Sequence, residues 1–340
     1  VGRAEYSTVI ENCYSSGKIE MVSDQDDQGT VAGWGGLIGQ CYNYVEVNNS
    51  YSTVDIDGAV TVASYIDGVF SFWNKRVVKS VGGFVGETYL STINKSFSTG
   101  NLIGGNKVGG FVGYNNHSST IKDCYSFGKA VRDSNGLGAT PPFSDFGGFC
   151  GNNENSEISN SYSTGLVEYE YAANPTDKGF AGAVSSDGSG YKMLANFWDT
   201  DVSNQTGTAG STANSSELPV GKSTAEMKTK TTFTNASWDF STPIWAISGF
   251  LNDGYPFLDF YEFINVLITV TDIVQGSFYV LNNANIGFQA LSGTVEVSFE
   301  LMNTTPPNFP DDGLFVGNYW DITSVTDSVK LRLYYLPSDI

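Results

Sequence analysis

One histidine, four cysteines and a short acidic run hold most of the chemistry that this sequence could perform. His117 lies in the polar run Asn115-Asn116-His117-Ser118-Ser119, which reads as a solvated loop. A His-Glu-x-x-His zinc site needs a second histidine and a three-histidine site needs more, so both are excluded. A Ser-His-Asp triad would have to use His117, and its loop setting argues against that. Cys13, Cys41, Cys124 and Cys150 show no Cys-x-x-Cys spacing, which removes a zinc ribbon. No Gly-x-x-x-x-Gly-Lys-Ser/Thr loop is present to cradle a nucleotide phosphate. The acidic run is Asp24-Gln-Asp-Asp-Gln-Gly29. Ca²⁺ takes about six to eight oxygens on a flexible loop, and Asp24, Asp26 and Asp27 would supply part of such a set. The run is not an EF-hand, because Gly35 stands where the bidentate glutamate would fall. Its alternative reading is a solvated acidic loop. Asp55/Asp57 and Asp199/Asp201 are weaker versions of the same pattern.

Charge narrows the partners. There are 36 acidic and 17 basic residues, a formal net charge of −19. That disfavours nucleic acid and anionic lipid, both of which need basic patches. Charged residues are only 16% of the chain while glycine reaches 39 residues, so Ser, Thr, Asn and Gly must make the polar surface. An aromatic content of 14% argues against disorder. No stretch approaches the ~18 apolar residues of a membrane span. The chain starts at Val1 without Met or a signal peptide, so it reads as a mature piece or a fragment.

The elements that must position these residues come from repetition. One motif occurs as Ile10-Glu-Asn-Cys-Tyr-Ser-Ser-Gly17, Val47-Asn-Asn-Ser-Tyr-Ser-Thr-Val54, Ile93-Asn-Lys-Ser-Phe-Ser-Thr-Gly100, Ile121-Lys-Asp-Cys-Tyr-Ser-Phe-Gly128 and Ile158-Ser-Asn-Ser-Tyr-Ser-Thr-Gly165. A second alternates with it: Gly35-Gly-Leu-Ile-Gly39, Gly82-Gly-Phe-Val-Gly86, Gly109-Gly-Phe-Val-Gly113, Gly147-Gly-Phe-Cys-Gly151 and the degraded Gly179-Phe-Ala-Gly182. The first motif recurs at intervals of 37, 46, 28 and 37 residues. A packed helical repeat tolerates little length change, whereas coiled β-structure absorbs insertions in its loops. The segments are short, rich in Val, Ile, Tyr, Phe and Thr, and bounded by Gly and Asn, which is a strand signature.

The fold expected is all-β: a β-solenoid, right-handed β-helix-like, of about five coils. Coils stack at ~4.8 Å, so equivalent residues form columns. Position one gives an aliphatic column, position four a small one and position six serine throughout. Position five gives an aromatic ladder of Tyr14, Tyr51, Phe97, Tyr125 and Tyr162. The Gly-Gly pair suits a place where a side chain would strike the next coil. Positions one and four both look buried, which strict alternation forbids, so a bend or bulge is expected between them. Cys13 and Cys124 lie three coils apart, too far for a disulfide. Buried free thiols are expected, with Cys13–Cys41 left open.

These paired motifs resemble the GLUG repeat family over residues 8 to about 184. The resemblance implies a large secreted or cell-surface bacterial protein, adhesin-like, with no catalytic residues to transfer. Val54 in place of Gly, Trp34-Gly35-Gly36-Leu37 in place of the Phe form, and the weak last copy depart from the pattern and suggest looser coils.

Residues 1–195 are thus read as the solenoid and 196–260 as a capping segment. The latter carries one short helix with a capping box from Ser223 and Glu226. A terminal coil exposes strand edges, and Trp198, Trp238 and Trp245 would cover them. A carbohydrate platform of tryptophans is the functional alternative. Residues 261–340 show alternating runs at 264–271, 277–281, 294–301 and 328–335, read as a small β-sandwich-like domain, incomplete at its end.

The function expected is non-enzymatic: an extracellular, cell-surface stalk or fibre subunit serving attachment or self-assembly. Its partners would be glycans or copies of itself, with no cofactor beyond the Ca²⁺ at Asp24, Asp26 and Asp27. The alternative is a carbohydrate-active β-helix enzyme or binding module, which needs acids stacked on successive coils. Glu11, Asn48, Asn94, Lys122 and Ser159, at one outward position, make no such stack. An ice-binding face would want Thr-x-Thr ladders, and these are missing.

Overall fold

The third residue of the first motif sets the path of the chain. Asn12, Asn49, Lys95, Asp123 and Asn160 have φ of 53°, 47°, 46°, 53° and 46°. This is the left-handed region, which Asn and Asp enter more readily than other side chains. One such residue reverses the inside–outside alternation, so positions one and four both face inward. This is the bend that the sequence requires. The position-four serines then bond the turn: Ser50 Oγ donates to Asn48 O at 2.7 Å and accepts from Cys13 N of the preceding copy at 3.1 Å. Ser96 and Ser161 donate in the same way, each at 2.9 Å. A second corner repeats the device, with Asn43, Leu90, His117 and Asn155 left-handed and Ser91, Ser119 and Ser156 bonding the turn.

The computed structural model describes residues 2–21, 33–66, 69–78, 80–133, 145–169, 175–185, 192–209, 218–242, 244–247 and 252–258. For 60–66 and 69–77, and for the strands 263–273, 278–280, 287–289, 295–302 and 329–333, it describes the backbone. Contacts divide the chain into 1–244 and 245–340.

The first unit is a β-helix-like stack of short parallel strands, one per copy in each sheet. The first sheet holds six: Arg3–Glu5, Ile38–Tyr42, Val85–Tyr89, Val112–Asn116, Cys150–Glu154 and Ala181–Ser185. The second holds six more: Val9–Glu11, Glu46–Asn48, Thr92–Asn94, Thr120–Lys122, Glu157–Ser159 and Lys192–Leu194. A third, seven-stranded sheet contains the position-five aromatics and ends at Phe197–Asp199 and Val220–Lys222. The fourth runs from Lys18–Glu20 to Val167–Tyr169, and the fifth from Trp34–Gly35 to Phe146–Gly147. Every pairing among these five sheets is parallel and joins equivalent motif positions, as in Ile93↔Val47 and Ile93↔Ile121. Among the described residues the stack therefore has six rungs; the sixth is built on the degraded copy.

Unequal repeat lengths collect in the connection from the fourth sheet to the fifth. It is Gly105–Asn106 between the third and fourth rungs. Between the second and third it holds the antiparallel hairpin Ala59–Ile66/Val69–Val77. The interior forms two apolar columns. One contains Phe84, Phe111, Phe149, Phe180, Ile93, Ile121 and Ile158; the other contains Val81, Val108, Phe146, Leu102 and Val167.

After the sixth rung come the short helices Thr200–Ser203, Thr224–Met227 and Lys230–Thr234. The expected capping box is present: Ser223 Oγ accepts from Glu226 N at 3.3 Å, and Glu226 Oε2 accepts from Ser223 N at 3.0 Å. The other two helices have weaker sequence signals, being four and five residues long.

In the second unit Trp245–Ala246 pairs antiparallel with Phe257–Leu258. Phe263–Ile273 pairs antiparallel with Val295–Met302, which pairs parallel with Val329–Leu333. Phe278–Val280 and Gly287–Gln289 form a hairpin. The unit is β-structure in small sheets, at the runs where the sequence alternates.

Candidate functional site

The predicted ladder is continuous. Rings of Tyr14, Tyr51, Phe97, Tyr125 and Tyr162 follow one another at 5.3, 4.8, 4.8 and 5.2 Å, with interplanar angles of 12° or less. A second ladder, Phe84–Phe111–Phe149–Phe180, stacks at 4.8 to 4.9 Å inside the coil. Rings stacked along the axis spend their faces on one another; Tyr14 is exposed at the first rung, while Phe97, Tyr125 and Tyr162 are buried. A third, shorter column, Tyr42–Tyr89–His117, lies on the outer side at 4.5 and 4.4 Å. His117 is exposed in a bend between strands, as its polar run suggests, and its ring also closes this aromatic column.

Position six faces inward, opposite the ladder. Ser98, Ser126 and Ser163 donate to the carbonyls of Gly110, Gly148 and Gly179 on the next rung, at 2.7, 2.9 and 3.1 Å. The two sequence motifs thus meet across the interior. A Cβ on Gly110 would lie 2.1 Å from Gly148 O and 3.0 Å from Ser126 Oγ. Only a hydrogen atom fits there, which is why the pair is glycine.

Titratable groups gather on the outer side where the fifth and first sheets meet. Gln40, Glu87, Tyr114 and Asn152 occupy one register column over four rungs. Lys107 and Asp145 approach from the fifth sheet. Lys107 Nζ lies 2.9 Å from the centroid of the Tyr114 ring, a cation–π contact. The Tyr114 hydroxyl donates to Glu154. Gln40 Nε2 donates to Glu87 Oε2 at 3.2 Å, and Asn152 Nδ2 to Asp145 Oδ2 at 2.9 Å. Burial pushes the Glu87 carboxyl up, against the charge of Lys107 and the bond from Gln40. Burial also lowers Lys107, against Glu87, Asp145 and Glu154. Tyr114 is raised, first by burial and then by its bond to Glu154. Sequence reasoning looked for stacked acids in the first motif. This group comes from residues flanking the second, and only the register joins Lys107 to Glu87.

Residues 144–167 match the family model described as the GLUG motif. The stretch includes the strands Phe146–Gly147, Cys150–Glu154, Glu157–Ser159 and Tyr162–Ser163. The chain carries the GLUG motif. A protein of Evansella cellulosilytica, named as a Gly-rich membrane protein, is 31% identical over 150 residues, which is 44% of this chain and 15% of that protein. The chain thus matches about 15% of the length of that curated relative. No solved structure matches.

The remaining expected sites fall as follows. Asp24, Asp26 and Asp27 lie outside the described residues. Among the described residues no group of His, Cys, Asp and Glu could hold a metal ion. Asp199 is used structurally: its Oδ1 accepts from Asp201 N and Val202 N at 2.9 and 3.0 Å, capping a helix. The four cysteines are free, which removes Cys13–Cys41; Cys41, Cys124 and Cys150 are buried along the GLUG core and Cys13 is exposed.

A tryptophan platform is also removed. Trp198, Trp238 and Trp245 are 5%, 3% and 1% exposed, so none offers a free indole face. Trp198 takes the place of the position-six serine on the last rung and covers Gly179. Its Nε1 donates to Gln205 O at 3.0 Å. Trp238 lies 5.8 Å from the Phe197 ring and donates to Ala195 O at 2.9 Å. Trp245 belongs to the second unit, opposite Leu258. Part of the strand edge of the last rung, at Lys178–Ala181, is covered too. Gln205 Oε1 accepts from Lys178 N at 3.0 Å and Gly207 O from Gly179 N at 2.9 Å. Thr208 Oγ1 accepts from Phe180 N and Ala181 N at 3.1 and 2.8 Å.

Proposed function

We propose that this chain is a non-enzymatic, extracellular structural and adhesive segment, a β-solenoid stalk at a bacterial cell surface. The observation that carries this reading is the six-rung register, in which equivalent residues stack in unbroken columns. Such a stack resists extension, because pulling along its axis must break whole sets of interstrand bonds. The capped edge at Lys178–Ala181 favours a stalk over a fibre subunit: those donors are already used, so another chain has nothing to pair with there. The GLUG motif and the membrane name of the Evansella relative support a place at the cell surface. Among the described residues no helix is long and apolar enough to cross a membrane.

A second reading, a carbohydrate-active enzyme, draws on the half-buried Glu87, Lys107 and Tyr114. Two measurements decide between them. Antibody against residues 1–244 should label intact cells of the source organism. The purified chain should release no reducing ends and no unsaturated sugar from a polysaccharide panel. Interior-only labelling overturns the surface reading, and turnover lost in Glu87→Gln overturns the non-enzymatic one.

A further inference from the structure

The outer side of the first sheet carries polar atoms that the fold leaves unmatched. Asn152 is 9% exposed, and its Oδ1 has no hydrogen-bond partner although its amide nitrogen serves Asp145. Gln40, three rungs earlier in the same column, repeats this: its nitrogen serves Glu87 and its Oε1 is unmatched. Buried acceptors without a donor are costly and uncommon. Between them lies Lys107, whose ammonium rests on Tyr114 and has no carboxylate of the described residues within ion-pair distance. One patch thus holds a lysine that can donate further and oxygens that can accept further.

The chemistry of a ligand follows from this mixture. Glu87, Asp145 and Glu154 outnumber Lys107 and repel an anion. Lys107 already supplies the cation among them, so a metal ion would meet like charge. Unmatched donors and acceptors together call for a group that does both from one atom, and an alcohol hydroxyl is that group. Aromatic stacking is not the attraction here, because Tyr42 and Tyr89 stack on their neighbours and Tyr114 carries the ammonium.

We propose that this face, centred on Glu87, Lys107 and Asn152, binds a neutral, hydroxyl-rich saccharide chain laid across the second to fifth rungs. The two unmatched oxygens are shut off from bulk water, so the ligand reaches them as neighbouring half-exposed side chains change rotamer. The proposal rests on the adhesive reading and gives it a ligand class.

Affinity electrophoresis of the full chain tests it, through gels holding glucomannan, xylan, mixed-linkage β-glucan or polygalacturonate. At least one neutral polysaccharide should retard the wild type, and polygalacturonate should not. Lys107→Met, Glu87→Gln and Asn152→Ala should each weaken retardation about tenfold. Lys122→Met, the same charge change on the exposed outer side of the second sheet, should leave it intact. Circular dichroism melts show whether each variant keeps its fold. The site is overturned if no neutral polysaccharide retards the chain, if polygalacturonate binds equally, or if folded Lys107→Met and Glu87→Gln bind as the wild type does. Those results leave the stalk reading standing. Turnover of a retarding polysaccharide would instead sink the non-enzymatic reading and keep the site.

Discussion

Gly110→Ala is the sharpest probe of the stacked interior. The new Cβ would sit 2.1 Å from Gly148 O, where ordinary contact begins near 3.4 Å, so something must move by more than 1 Å. The obstacle is backbone and cannot swing aside. Gly148 O accepts from Ser126 Oγ at 2.9 Å, and the neighbouring Phe111 N donates to Phe149 O at 2.8 Å. Parting the rungs weakens both bonds, at about 1 kcal/mol each. Overpacking itself costs about 1–3 kcal/mol, offset by about 0.4–1 kcal/mol from the stiffer unfolded chain. The net is about 3 kcal/mol of destabilisation. For a unit of 244 residues that lowers Tm by about 6–12 °C. Gly207→Ala is the control, because its nearest neighbour would be 3.5 Å away. Both variants are read by far-UV circular dichroism melts, with guanidinium midpoints as a second measure. A Gly110→Ala melt within 1 °C of wild type, or a Gly207→Ala melt that falls as far, would refute the claim that glycine is there because the rungs nearly touch.

Three further outcomes are expected. Lys95→Asn should raise stability by about 0.5–1 kcal/mol, because Lys95 holds a φ of 46° where its sister positions are Asn or Asp; denaturant midpoints check this. Thr208→Val should leave Phe180 N and Ala181 N without an acceptor, costing about 2 kcal/mol, and hydrogen exchange should quicken at those amides while the second and third rungs stay protected. Iodoacetamide at neutral pH should modify Cys13 alone in the folded chain and all four cysteines after denaturation, as read by mass spectrometry. The same burial makes stability pH-dependent. Cys41 is pushed up to about 12, above its unfolded value, so its contribution is full below about pH 9 and is lost as pH rises towards 12. Burial raises Cys124 and Cys150 as well, so an alkaline melt series that falls less steeply in Cys41→Ala than in the wild type checks the sign.

Much of the repeat fold was readable because a column demands the same answer at every rung. The ladder from Tyr14 to Tyr162 could be named from spacing alone, and so could the need for a bend between Ile10 and Cys13. What carries that bend was not evident: Lys95 occupies the left-handed place beside Asn12 and Asn49, and lysine does not announce such a backbone. The sixth rung was also hidden, since Met193 and Phe197 keep the pattern while Ala195 and Trp198 depart from it. His117 looked solitary because its partner, Tyr89, belongs to another copy.

The sequence by itself determined the periodic part of this protein: parallel rungs, their register, the buried thiols and the short helix at Ser223. Periodicity is local information multiplied, and each copy states it again. Tertiary structure alone decided the pairs that are not equivalent. Ser126 meets Gly148 across the coil, Lys107 rests on Tyr114 where two sheets converge, and Thr208 closes part of the last edge. These contacts depend on where the chain turns and how far each rung is offset from the next, and no single copy encodes either quantity.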